Sequence, residues 1–135
     1  MVFSMFMKDK RKERKTVKYV ASADFIGPDG APMEWELKAI PCRIEREIRN
    51  KYTKTGRNGD TVFDGSGYTL ALAAASVVFP PLKSAELQNS YGVMGESALL
   101  QEMLDPGQLS RLTIKAQEVN GYTETFGELI EQAKN

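Results

Sequence analysis

Residues 16–40 read TVKYVASADFIGPDGAPMEWELKAI, and this stretch decides the class of fold. In its first half, Val17, Tyr19, Ala21 and Ala23 alternate with Lys18, Ser22 and Asp24, and only Val20 blurs the period. That alternation predicts a strand over residues 16–25. Gly27-Pro28-Asp29-Gly30 follows. Proline presets φ for a turn, and Asp-Gly supports the positive φ of a hairpin loop. In its second half, Met33, Trp35, Leu37 and Ala39 alternate with Glu34, Glu36 and Lys38, predicting a second strand over residues 33–40. The two strands form a β-hairpin with one apolar face. A lone hairpin is marginal in water, so that face must lie on helices.

Working outward, the rest of the chain supplies them. Pro41 suits the first turn of a helix, where its missing N–H costs nothing. Ile44, Ile48 and Tyr52 recur at i, i+4 and i+8, a narrow apolar stripe on a helix otherwise covered with Arg and Glu. Cys42 reads as a half-buried residue of this helix, and Glu45 and Arg49 as a favourable i,i+4 pair on its outer face. Residues 53–67, rich in Gly, Thr, Asn and Asp, read as a mobile loop with a short strand at 61–63. The Gly65-Ser66-Gly67 run reads as a turn. Residues 68–79, YTLALAAASVVF, read as a helix buried on most sides, with alanines admitting close neighbours and Pro80-Pro81 stopping it.

Short helices with clear punctuation follow. Ser84 caps one that Gly92 ends; residues 96–104 form the next; Asp105-Pro106 opens a third that Asn120-Gly121 closes. Thr123 caps the last, with Phe126, Leu129, Ile130 and Ala133 on one stripe. The expected architecture is α+β: an N-terminal β-hairpin packed on a mainly α-helical body of about five to six short helices. Residues 1–15 form a basic tail and 16–135 a single domain, with hairpin, helix and loop over 16–65 and the helical part over 66–135.

Composition excludes much chemistry. The 135 residues include one cysteine and no histidine. No intramolecular disulfide or cysteine-based metal site can close, and the thiol has no imidazole to take its proton. Ser-His-Asp triads and imidazole acid–base catalysis are absent. The 18 acids show no catalytic pattern, and the Gly-containing stretches at 56–60 and 65–67 are too short and wrongly spaced to cradle phosphate. No enzyme, cofactor or metal is expected. The longest apolar run, residues 70–79, is about half of what a membrane helix needs. The N-terminal apolar residues precede their basic run, the reverse of a secretory signal. A cytoplasmic protein is expected, with no membrane partner.

Charge is uneven along the chain. Residues 1–20 hold seven Lys/Arg against two acids, whereas residues 61–135 hold four against nine. This suggests an electrostatic partner contact, head-to-tail self-association or a solvated terminus. Nucleic-acid binding through residues 8–18 and 43–57 is disfavoured because acids interleave and aromatics do not.

The block SVVFPPLKSAELQNSYGV at 76–93 resembles the signature of the XkdN-like phage tail assembly chaperones. So do Met103-Leu104-Asp105-Pro106-Gly107, Glu118-Val119-Asn120-Gly121-Tyr122, the terminal Ala133-Lys134-Asn135 and the upstream Trp35-Glu36-Leu37-Lys38-Ala39-Ile40. Gln108 departs from the acidic residue expected after Pro-Gly, and the basic run at 8–15 is longer than the family needs. The resemblance implies a phage or prophage helper that binds the tape-measure protein, and as a further partner the tail-tube protein, in the bacterial cytoplasm. It would aid tail-tube assembly and be absent from the mature tail. The resemblance also implies a longer frameshifted product, which the codons GCA-AAA-AAC for residues 133–135 would permit. The alternative is a structural tail component. Tyr91, Met94, Leu99, Leu100 and Met103 are the candidate partner-binding residues, core packing being their other reading, with Met103 foremost because methionine suits adaptable surfaces.

Overall fold

A computed structural model describes residues 2–123 and 126–134. The expected hairpin is present: β1 (Val17–Tyr19) pairs antiparallel with β2 (Trp35–Leu37), matching Val17 with Leu37 and Tyr19 with Trp35. These pairs put the apolar residues on one face, as the alternation requires. The ladder is shorter than the alternation, with three residues in each strand. Pairing lapses toward the turn, and resumes only as an isolated bridge between Ile26 and Pro32.

Helix α1 (Cys42–Lys51) follows, with Pro41 one position before it as the N-cap rather than inside its first turn. Cys42 is exposed, not half-buried. It stands two positions before Ile44, about 200° around the helix and away from the apolar stripe. The expected loop is more ordered than its composition suggests. Strands β3 (Thr53–Thr55) and β4 (Thr61–Phe63) form a second, two-stranded antiparallel ribbon.

The apolar run 68–79 is divided between two elements. Helix α2 (Gly65–Ser76) ends at Ser76, and β5 (Val77–Phe79) begins at once as the third strand of the hairpin sheet, in the order β1-β2-β5. The Gly65-Ser66-Gly67 run is therefore the first turn of α2, not a free turn. Asp64 caps it by accepting from the Gly67 N–H at 3.0 Å. Gly67 has a packing reason as well: a Cβ there would lie 2.6 Å from the Tyr52 ring.

The helical part follows its punctuation. The helices are α3 (Ala85–Ser90), α4 (Glu96–Met103), α5 (Pro106–Val119) and α6 (Phe126–Lys134). Ser84 Oγ accepts from the Leu87 N–H at 3.2 Å. Gly121 takes φ +88° just after α5, where a side chain would be strained. Gln108, the departure noted in the sequence, reaches back to accept from the Asp105 N–H at 2.9 Å. That is the return half of a capping box, which a glutamate would make equally well. The cap expected at Thr123 adjoins residues 124–125, which lie outside those described, as do the side chains of Phe126 and Ile130; the other stripe residues, Leu129 and Ala133, are exposed.

Helix α2 lies against α5, α4 and α1. Trp35 and Leu37 of β2 meet Leu99, Leu100, Leu112 and Ala116 in the core between sheet and helices. Each buried leucine contributes roughly 1.5–3 kcal/mol relative to exposure.

Candidate partner-binding surface

The region around α1 carries two polar clusters that set its position. The first is half-buried, at the junction of sheet and helices. Asn120, at the end of α5, accepts from the Ile40 N–H at 2.9 Å through Oδ1. Its Nδ2 donates to Ser76 Oγ at 2.9 Å and to the Ala116 carbonyl at 2.7 Å. Two backbone partners of opposite polarity fix the orientation of this amide. Ser76 Oγ in turn donates to the Leu72 carbonyl at 2.8 Å. The end of α2, the end of α5 and the entry to α1 are thus tied at one point.

The second cluster is half-buried. Arg49 Nη2 donates to Glu45 Oε2 at 2.8 Å, forming the pair expected along α1. The pair is not a free solvated face, however. Tyr68 OH also donates to Glu45 Oε2, Tyr122 OH lies 3.2 Å from Tyr68 OH, and the Arg49 guanidinium sits 5.0 Å above the Tyr68 ring. The Tyr68 hydrogen bond, helped by Arg49, holds the Glu45 carboxyl below the usual carboxylate range. Burial, followed by the Glu45 hydrogen bond, pushes the Tyr68 phenol well up.

A carboxyl depressed in the folded state stabilises the fold above its unfolded pKa, and that contribution is lost as pH falls through the folded pKa. Tyr68→Phe removes the largest cause of the depression. It is expected to cost about 1 kcal/mol near neutral pH. The deficit relative to the parent should narrow as pH falls through the acid range. Urea unfolding of both proteins across that range checks this, and a pH-independent deficit would show that Glu45 is not the group involved.

Above these anchors the apolar surface is unevenly covered. Helix α1 buries none of its residues. Ile44, Ile48 and Tyr52 are only half-buried and form one wall of an open trough of about 1000 Å³. Ala71, Ala74 and Ala75 of α2 form its floor, and Met94 with the start of α4 closes one end. A second cleft of about 640 Å³ shares Ile40, Ala75 and Val78 with the trough and runs beneath residues 8–14 of the basic arm. There Lys12 Nζ donates to the Gln132 carbonyl at 3.2 Å. A third cleft of about 330 Å³ lies between the hairpin and α3, lined by Phe25, Trp35, Phe79, Leu87, Tyr91 and Met103 among others.

The structure separates the residues singled out in the sequence. Leu99 and Leu100 are fully buried in the core. Met103 is 8% exposed and shows one edge to the third cleft, beside half-buried Tyr91. Met94 is 92% exposed at the end of the trough. Sequence reasoning placed Ile44, Ile48, Tyr52 and the α2 alanines in packing and did not assemble them into a surface. The available signal was the contrast between a strongly amphipathic α1 and a neighbour whose facing side chains are too small to cover it.

Among the described residues, no three His, Cys, Asp or Glu lie close enough to hold a metal. No described helix is long and apolar enough to cross a membrane.

A family model for the phage XkdN-like tail assembly chaperone protein matches residues 3–134. The chain is 26% identical to the phage-like element PBSX protein XkdN of Bacillus subtilis strain 168, across 98% of this chain and 93% of that protein. It is also 26% identical to the uncharacterized protein YqbN of the same bacterium, across 98% and 92% of the two. The crystal structure of YqbN superposes with a TM-score of 0.77 at 22% identity, covering 87% of this chain and 94% of the other, which shows a common fold.

Proposed function

Because the chain belongs to the phage XkdN-like tail assembly chaperone family, we propose that it binds the tape-measure protein while a phage or prophage tail is being built. It acts in the bacterial cytoplasm, keeps that protein soluble while the tail tube assembles, and is absent from the finished tail. It works by binding, without catalysis.

The observation that carries this reading is the family match along nearly the whole chain. The half-covered stripe of α1 supports it physically. A long helical chain with apolar stripes aggregates when bare, and a small protein with uncovered apolar surface can shield it by modest contacts repeated along its length. The tail-tube protein is a further partner.

The test is co-expression with the tape-measure protein of the same phage element, alone and with this chain. Soluble tape measure only in the presence of this chain, persisting in high salt, is the expected result. A tape measure that stays insoluble and does not co-purify would overturn the reading. Finding the chain in purified mature tails would instead identify a structural component.

A further inference from the structure

The trough between α1 and α2 has a shape and charge that specify its occupant. Its wall is a stripe at i, i+4 and i+8 (Ile44, Ile48, Tyr52), and its floor is alanine. Small side chains on α2 opposite larger ones on α1 leave an open apolar groove, completed by Val77, Val78, Leu82 and the start of α4, which suits another helix. Helix α2 has 12 residues, or about 18 Å of length. Around the apolar channel the charge is cationic. Lys51 and Lys83 stand on the rim against Glu96. In the adjoining cleft, Lys8, Arg11, Lys12, Arg14 and Lys38 stand against Glu13.

We infer that this trough binds an amphipathic helix with an apolar stripe and acidic flanks, seated on Ile44, Ile48 and the α2 alanines with its carboxylates toward Lys51, Lys83 and the basic arm. The inference deepens the chaperone reading and rests on it only for the source of the helix, a segment of the tape measure. The apolar floor decides against nucleic acid, which needs stacking platforms beside its cations. Tyr52 is the one aromatic residue lining either cleft. The arm's role is electrostatic: it raises the encounter rate and selects against basic helices.

The test uses the full chain and two synthetic helical peptides of about 20 residues. Both carry the same leucine stripe, one with glutamate flanks and one with lysine flanks. Fluorescence anisotropy at low salt should show the glutamate peptide binding at least roughly tenfold more tightly. Lys51→Glu combined with Lys83→Glu changes two exposed side chains, leaves the fold intact by circular dichroism, and should cut that preference severalfold while the cations of the arm keep its sign. Ile48→Glu should abolish binding of both peptides.

Equal binding of the two peptides, or no effect of the double variant, overturns the inference. Displacement of the glutamate peptide by single-stranded oligothymidine identifies a nucleic-acid site and also overturns it. A dimer in sedimentation that the double variant or Ile48→Glu dissolves, with no peptide bound, identifies a second copy as the occupant and has the same consequence. The same variants in the co-expression assay keep the two readings apart. If the parent solubilises the tape measure and the variants do so equally well, the trough is not the site although the chaperone reading stands. If the parent itself fails there, the chaperone reading falls, and the peptide measurements still judge the trough.

Discussion

Trp35→Ala is expected to lower folding free energy by about 3–5 kcal/mol. That is a large share of the roughly 5–15 kcal/mol that holds a small domain together. Trp35 is 2% exposed, sits at the centre of the sheet and meets Phe25 with ring centroids 6.4 Å apart. Its indole is the main wedge between hairpin and helices. Truncation leaves a cavity on a strand held by neighbours on both sides, so the site cannot collapse freely. Trp35→Phe, which keeps an aromatic ring, should cost less than half as much. The chain has one tryptophan, so urea unfolding must be followed by far-ultraviolet circular dichroism. An unfolding midpoint for Trp35→Ala equal to that of the parent would mean that the hairpin is not part of the cooperative core.

Asn120→Leu should be the next most damaging change, at about 2–4 kcal/mol. The side chain makes three hydrogen bonds: with the Ile40 N–H, Ser76 Oγ and the Ala116 carbonyl. Leucine fills similar space and makes none of them. The Ile40 N–H then loses its partner in a half-buried site, a penalty of about 1–3 kcal/mol by itself. Asn120→Asp tests the polarity of the arrangement. A carboxylate still accepts from Ile40 but cannot donate to Ala116, and it places negative charge at the C-terminus of α5, where the helix dipole disfavours it. It should recover little of the loss at neutral pH. Ser76→Ala in a double-mutant cycle with Asn120→Leu should give a combined cost smaller than the sum, because the two share one bond. Strict additivity would show that the two side chains act independently.

The fold was legible where chemistry punctuates the chain. Alternation around Trp35, the Pro-Asp-Gly turn, Ser84 and Asp105-Pro106 each carry a local physical reason for a boundary, and the structure places boundaries there. The α+β class with six described helices follows from them. The end of α2 was not legible from hydrophobicity, because a short apolar run reads alike as buried helix or buried strand. Two weaker signals lay in residues 77–79, the β-branched pair Val77-Val78 and the position before Pro80, where α conformation is disfavoured. The strand expected at 61–63 is β4, but its partner β3 was hidden because five of the ribbon's six residues are exposed, so burial gives the pair no pattern. The Tyr68–Glu45–Tyr122 cluster joins positions 23 and 54 residues apart, which one sequence does not reveal. The trough was missed because it arises from what α2 lacks in side-chain bulk, and absence of bulk leaves no motif.

The order of the sheet has a consequence for how the protein is made. Strand β2 is central, yet its partner β5 comes about forty residues later in the chain, through the pairing of Glu36 with Phe79. Leu37 shares its core with Leu99, Leu100 and Leu112 of α4 and α5, which arrive later still. On the ribosome, synthesis proceeds from the N-terminus at about 5–20 residues per second. The hairpin therefore emerges with Trp35 and Leu37 bare and stays so for several seconds of translation. During that interval the nascent chain carries, beside its own apolar face, the dense positive charge of residues 8–18. An apolar face left open for that long is where premature association between nascent copies begins.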